Sequence, residues 1–341
     1  MIKTPWVGSL CLVLTSHMPL PATEPVTPRV ETRIVEALEK AVPYLEKDGQ
    51  AWFEGENIYQ EKGCVSCHQV PSGVWSLAHC YISLDSESRE LGDELLHDAV
   101  EFVSDPEIGR PATWAQILIA AKLANQSSET EDGLFEQAKN SFLPEILKTQ
   151  QEDGRWRAQG QFPSQKRPIK ESDAVVTMWM LAALEGDSDD PQVQESVAKA
   201  RVYLKDFRGK SNEWLAWRSI IAESAAERDD FLEKLLRNQN DDGSFGWAGK
   251  ETGNVYSSGV ALFALTSAQY GVKQSDSQQL VRVRGAAINY LLEKQHEEGY
   301  WLQSSKPITT KASESHDYIY QYWSTAWASL GLSQALITAD R

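Results

Sequence analysis

Cysteine is scarce in this chain of 341 residues: four in all, Cys11, Cys64, Cys67 and Cys80, with none beyond Cys80. So small a number excludes a fold held together by a disulfide framework. Methionine is equally rare, with none between Met18 and Met178. Positive charge is also in short supply, since 33 Lys and Arg stand against 49 Asp and Glu for a net charge of -16. That balance argues against non-specific nucleic-acid binding, which needs cations to displace phosphate counterions. No apolar run reaches the roughly 20 residues that cross a bilayer. What the chain does have is 41% hydrophobic residues, 12 Trp and 11 Tyr, too apolar for an acidic disordered chain.

The first residues place Lys3 ahead of a short apolar stretch from Trp6 to Leu14, followed by Ser16, Pro19, Pro21 and Ala22. One early positive charge, a brief apolar core and small or turn-forming residues read as a secretory signal peptide over residues 1–22. Export to the periplasm or the extracellular space is therefore expected. Removal of that leader takes Cys11 with it and leaves three cysteines, an awkward number for disulfides in an oxidising compartment.

Internal repetition sets the expected architecture. Three segments share one form: Gln150-Gln151-Glu152-Asp153-Gly154-Arg155-Trp156, then Gln239-Asn240-Asp241-Asp242-Gly243-Ser244-Phe245-Gly246-Trp247, then Gln295-His296-Glu297-Glu298-Gly299-Tyr300-Trp301. Each follows an amphipathic stretch with apolar residues at helical spacing, such as Phe142, Leu143, Ile146 and Leu147. The glycine supplies a left-handed turn at the helix end, over which the tryptophan can pack. After a polar loop comes a second helix that is apolar on nearly every face, over residues 175–184, 255–265 and 320–332. Such a helix is buried all round. Weaker pairs at 34–45 with 74–82, 95–103 with 113–123, and 193–204 with 214–222 bring the total to six hairpins. In the first pair the turn is read at Gly49 and Trp52, and Pro43 and Pro144 are expected to kink their helices. An open solenoid would leave its end hairpins half exposed, so a closed ring over residues 30–337 is expected: an all-α, α/α6 toroid.

These Gln…Gly-x-Trp turns resemble the QW repeats of the squalene-hopene cyclase and protein prenyltransferase superfamily. The resemblance implies the toroid, and with it an alternative function: terpene-cyclase-like or other lyase or isomerase chemistry on an apolar substrate in the central cavity. Cyclases of that family protonate their substrate with a DxDD motif at the start of an inner helix. The matching string here, Asp187-Ser188-Asp189-Asp190, follows an inner helix and runs into Pro191, so it reads as a turn and helix start. At the position where the family's acid would sit stand Glu171, Ser172 and Asp173; Glu171 and Asp173 are candidate general acids, with Ser172 or Asp173 as helix cap the competing role. The family's zinc transferases need a cysteine late in the chain, and none is present. Tryptophans and tyrosines on the inner helices, Trp179, Trp217, Tyr256 and Trp327 among them, could face a cavity and stabilise cations there or be ordinary core.

The most specific chemical signal is Cys64-Val65-Ser66-Cys67-His68, the attachment pattern of c-type haem. Two thiols one helical turn apart form thioethers with the two vinyl groups, and the adjacent His68 then reaches the iron. The preceding residues 55–63 resemble the helix leading into the haem site of cytochrome c. Attachment occurs outside the cytoplasm, in keeping with a leader, and it leaves Cys80 as a lone buried thiol. Competing readings are a redox-active dithiol, a structural bridge, or a zinc site using Cys64, Cys67 and His68 or Cys80, with His79 as a further ligand. A whole cytochrome c domain would continue with a distal methionine, which is missing. The motif instead forms a loop at about 54–70 grafted into the first hairpin. If the ring closes, His316 lies at the same end as His68 and is a candidate sixth iron ligand, with Met178, Met180, His79 and His296 as rivals.

The sequence thus predicts an exported haem c toroid, bearing iron and serving electron transfer. A cyclase-like enzyme is the alternative, and a non-catalytic repeat scaffold with a metal staple is a third. Expected partners are a redox protein or an apolar small molecule.

Overall fold

A computed structural model describes residues 28–56, 70–85, 90–127, 133–159, 167–185, 190–267, 274–303 and 314–339, with side chains within 274–277 and 314–316 left aside. The expected leader and residues 57–69, which carry Cys64, Cys67 and His68, lie outside the described residues. Among the described residues twelve helices follow one another, outer and inner members in alternation. The outer members are α1 (Pro28–Glu54), α3 (Glu90–Val103), α5 (Leu134–Thr149), α7 (Pro191–Asp206), α9 (Ala225–Arg237) and α11 (Gln274–Lys294). The inner members are α2 (Val70–Ser83), α4 (Pro111–Ser127), α6 (Ile169–Leu184), α8 (Asn212–Ile220), α10 (Val255–Ser267) and α12 (Glu314–Ala339).

The division follows from composition. Outer helices bury one stripe, as α1 does with Ile34, Leu38, Ala41 and Leu45, whereas α10 buries twelve consecutive residues from Val255 to Thr266. Each inner helix packs on the next in chain order, and α12 packs on both α10 and α2, so the ring is closed. Glycines set the tightest of these contacts. A Cβ on Gly259 would stand 2.5 Å from the Trp327 backbone, and one on Gly331 2.7 Å from the Gly259 carbonyl oxygen, which fixes how closely α10 and α12 approach.

The three repeat turns show how the ring is stitched. Gly154, Gly243 and Gly299 have φ of 91°, 85° and 92°, the left-handed turn expected after the helix. In each turn the glutamine amide donates twice, once to its own turn and once to the next outer helix. Gln150 bonds the Gly154 and Ser196 carbonyls at 2.8 and 2.9 Å. Gln239 bonds those of Gly243 and Val283 at 2.9 and 2.8 Å. Gln295 bonds those of Gly299 and Ala37 at 2.9 and 2.8 Å. The last of these joins the sixth hairpin to the first. The aromatic then covers its own helix end: the Trp156 indole donates to the Ile146 carbonyl at 2.8 Å and that of Trp301 to Leu291 at 2.7 Å. In the middle turn Phe245, not Trp247, takes this buried place.

A third tie was not apparent in the sequence. The backbone N–H of Trp156, Phe245 and Trp301 donates to a hydroxyl of the paired inner helix, Thr177, Ser258 and Thr325, at 3.0, 2.9 and 3.0 Å. Each hydroxyl passes its own hydrogen to the carbonyl four residues back.

Helices α1 and α5 continue through Pro43 and Pro144, both on the solvent-facing side. One local expectation is corrected. The first hairpin's turn is at Gly55, with φ 80°, while Gly49 and Trp52 are helical; a Cβ on Gly49 would meet Leu95 at 3.2 Å.

Candidate functional site

All six inner helices begin at the same end of the ring, and that end gathers the polar groups buried among their first turns. On α6, Glu171 and Asp173 are 4% and 3% exposed. They do not converge. The Glu171 carboxylate accepts the backbone N–H groups of Ser211 and Lys210, at 2.8 and 3.2 Å, at the entry to α8. Asp173 turns the other way, accepting the Ala158 N–H at 2.8 Å and facing the Arg155 guanidinium at 3.4 Å. Burial raises its pKa above the usual carboxylate range, against the pull of the Ala158 N–H and of Arg155. Neither Ser172 nor Asp173 caps α6, whose cap residue is Pro168; Ser172 instead accepts from Arg167 Nε at 2.9 Å. The competing acidic string is represented by Asp190 alone among the described residues, and it caps α7 by accepting the Gln192 N–H at 2.8 Å.

The densest cluster is one the motif search passed over. Arg167 and Glu213 form an ion pair of 2.7 Å with both side chains 1% exposed. The Tyr256 hydroxyl donates to the other Glu213 oxygen at 3.1 Å, and Arg167 lies over the Trp247 ring at 5.1 Å. Burial is the main influence on Glu213 and raises its pKa, with Arg167 and Tyr256 opposing. The available signal was a charged residue, Glu213, at the start of a helix whose neighbours are all buried, where an ionised group must find a partner.

Below this layer the ring axis is filled by aromatic rings from five inner helices. Trp75 of α2 lies 5.3 Å from Trp327 of α12 and 5.9 Å from both Trp217 of α8 and Phe263 of α10. Trp179 of α6 lies 6.0 Å from Trp217 and 6.2 Å from Trp327. Tyr256 joins the group through Trp327 at 6.3 Å.

The remaining named residues divide by position. Val70, the first residue after the segment bearing Cys64, Cys67 and His68, opens α2 at this same end. His316 is in the first turn of α12, also at this end, with its side chain outside the description. Met178 and Met180 are fully buried along α6. His296 sits on the third turn, stacked on Tyr300 at 4.4 Å. His79 and Cys80 are buried in α2; burial pushes the imidazole down to about 4 and the thiol up to about 12. Among the described residues no three His, Cys, Asp or Glu are placed to share a metal ion, and no helix is long and apolar enough to cross a membrane.

No protein-family description matches the chain, and no curated protein matches it in sequence. Solved structures do match. A type II terpene cyclase from Scytonema, MstE, in complex with merosterolic acid A has a TM-score of 0.56 at 14% identity, over 91% of this chain and 99% of that one. An unsaturated glucuronyl hydrolase specific for heparin gives 0.60 at 10% identity, over 91% and 99%. A polysaccharide lyase gives 0.55 at 10% identity, over 91% and 98%. At such identities the likeness speaks to the fold alone. The chain has the all-α toroid fold that terpene cyclases share with these sugar-cleaving enzymes.

Proposed function

We propose that this toroid is an exported c-type haem protein, joined to the haem through Cys64 and Cys67, with His68 as proximal iron ligand. The observation that carries the reading is the Cys64-Val65-Ser66-Cys67-His68 sequence in the connection from α1 to α2. When bound, the haem supplies one-electron chemistry tuned by its axial ligands and burial. The described residues on either side of that connection are Glu56, just after α1, and Val70, which opens α2. His316, in the first turn of α12 at that end, is the proposed sixth ligand.

Expression into a periplasm with an active attachment pathway tests this. A pyridine haemochrome spectrum with colour retained through acid-acetone extraction is expected, and Cys64→Ala with Cys67→Ala should abolish it. A colourless wild-type chain under those conditions refutes the reading, and bound zinc in its place would favour the metal-stapled scaffold. With haem attached, His316→Ala should convert the spectrum toward a five-coordinate form; an unchanged spectrum removes His316.

The fold likeness taken alone favours an enzyme over an electron carrier, and the buried carboxylates at the inner-helix start support that second reading. Glu171 and Asp173 are both engaged by backbone N–H groups, and Glu213, held by Arg167 and Tyr256 with its pKa raised by burial, is a third candidate for acid or base work. Turnover of an isoprenoid or an unsaturated oligosaccharide that is lost in Glu213→Gln, and kept in Glu171→Gln and Asp173→Asn, would establish it.

A further inference from the structure

The interior aromatics and the Glu213 cluster meet at one residue, Tyr256, and the meeting has a chemical consequence. Tyr256 is in the first turn of α10, 1% exposed, with its hydroxyl on the Glu213 carboxylate at 3.1 Å. Its ring lies 6.1 Å from Trp247, in the turn ahead of α10, and 6.3 Å from Trp327 on the axis. From Trp327 the ring contacts continue to Trp75, Trp179 and Trp217 at 5.3, 6.2 and 6.3 Å. A connected path of electron-rich rings therefore runs from the end of the ring where the inner helices start down into its centre.

We infer that Tyr256 is a redox-active tyrosine with Glu213 as its proton acceptor, and that the tryptophans in ring contact with it share the hole along the barrel axis. The reactant is a one-electron oxidant of the metal-complex class acting at the inner-helix start. An electron leaves Tyr256 by way of Trp247, in the turn at that end, and reduces that oxidant by one. The Tyr256 O–H bond breaks and its proton goes to the Glu213 oxygen it already touches. The products are a neutral tyrosyl radical and a neutral carboxylic acid, with Arg167 unchanged as a cation.

The arrangement favours Tyr256 as the place where the hole rests. An oxidised indole is stabilised by giving up its N–H proton, yet the Trp75 and Trp217 nitrogens are buried and have no acceptor among the described residues. Those rings stay strongly oxidising and hand the hole on. Tyr256 has a carboxylate in place, and burial makes that carboxylate more basic than usual. Ordinary phenolate formation is closed to Tyr256, since burial and the Glu213 charge push its pKa well up. Electron and proton must then leave together. This role goes beyond haem binding and does not depend on it, because any one-electron oxidant at that end would serve.

The test uses the full chain with photo-oxidised ruthenium tris-bipyridine in solution, freeze-quenching and electron paramagnetic resonance. Wild type should give a neutral tyrosyl signal. Tyr256→Phe keeps the ring and its packing and should replace that signal with a tryptophan-type radical. Glu213→Gln should lower the tyrosyl yield roughly tenfold or more, the factor that loss of a charge-assisted acceptor represents. Should Glu213→Gln fail to fold because Arg167 is stranded, Trp327→Phe provides the second variant and should slow decay of the axial tryptophan signal. A tyrosyl signal of unchanged shape and yield in folded Tyr256→Phe overturns the inference. The haemochrome assay separates this outcome from failure of the haem reading, since the two readouts share no component.

Discussion

Ring closure can be tested with four glycines that all lie at positive φ and differ in what stands beside them. Gly299, Gly154 and Gly243 have φ of 92°, 91° and 85°, and Gly133 has φ of 71°. A Cβ on Gly299 would lie 2.1 Å from the Lys40 carbonyl oxygen of the first hairpin; on Gly154, 2.2 Å from that of Lys199; on Gly243, 2.4 Å from that of Ala286. At Gly133 it would meet nothing within 4 Å among the described residues. Alanine at any of the four costs about 1–2 kcal/mol for the left-handed backbone. Where a backbone oxygen blocks the methyl, displacement of the turn from its neighbour adds about 1–3 kcal/mol. Gly133→Ala should therefore destabilise by about 1–2 kcal/mol, and Gly299→Ala, like Gly154→Ala and Gly243→Ala, by about 2–5 kcal/mol. Urea unfolding followed by circular dichroism reads this as a midpoint shift at constant slope. If Gly299→Ala costs no more than Gly133→Ala while Gly154→Ala costs more, the sixth hairpin does not rest on the first and the ring is open.

Gln295→Leu removes two hydrogen bonds, so a loss of about 1–3 kcal/mol is expected in the same assay. Cys80, its thiol raised to about 12 by burial, should not react with a thiol reagent at pH 8 until the protein is denatured. After denaturation one thiol should titrate if Cys64 and Cys67 are thioethers and the leader is gone, against three if no haem is attached. His79 is held neutral in the fold, down from 6.5 to about 4, and gains a proton more readily when unfolded. Its contribution is complete above pH 6.5 and is lost as pH falls toward 4, reaching about 2 kcal/mol at pH 5. His79→Phe should flatten that part of the stability curve between pH 7 and 5, and an unchanged slope would show that His79 is not the cause.

The repeat grammar was legible because it is written in local chemistry. Gln150, Gly154 and Trp156 announce a helix end, a left-handed turn and a covering ring, and continuous apolar runs such as 255–266 require burial on every side. The same reasoning misplaced the first turn at Gly49. Gly49 serves helix packing against Leu95 and Tyr322, and Trp52 stacks on Tyr318; spacing alone does not distinguish a turn glycine from one accommodating a neighbour. It also named Glu171 and Asp173 alike as candidate acids, because position on a helix is visible in sequence and the direction of a side chain is not.

By itself the sequence determined six helical hairpins, the order of outer and inner partners, a buried Cys80 and the position of the Cys64-to-His68 motif between the first two helices. Periodicity and motif spacing are properties of neighbours in the chain. Only the tertiary structure decided that Gln295 reaches Ala37, that Thr177, Ser258 and Thr325 hold the turns, and that Arg167, Glu213 and Tyr256 share one buried site. Those contacts join residues from 13 to 258 positions apart, and packing of the closed ring, rather than local preference, selects them.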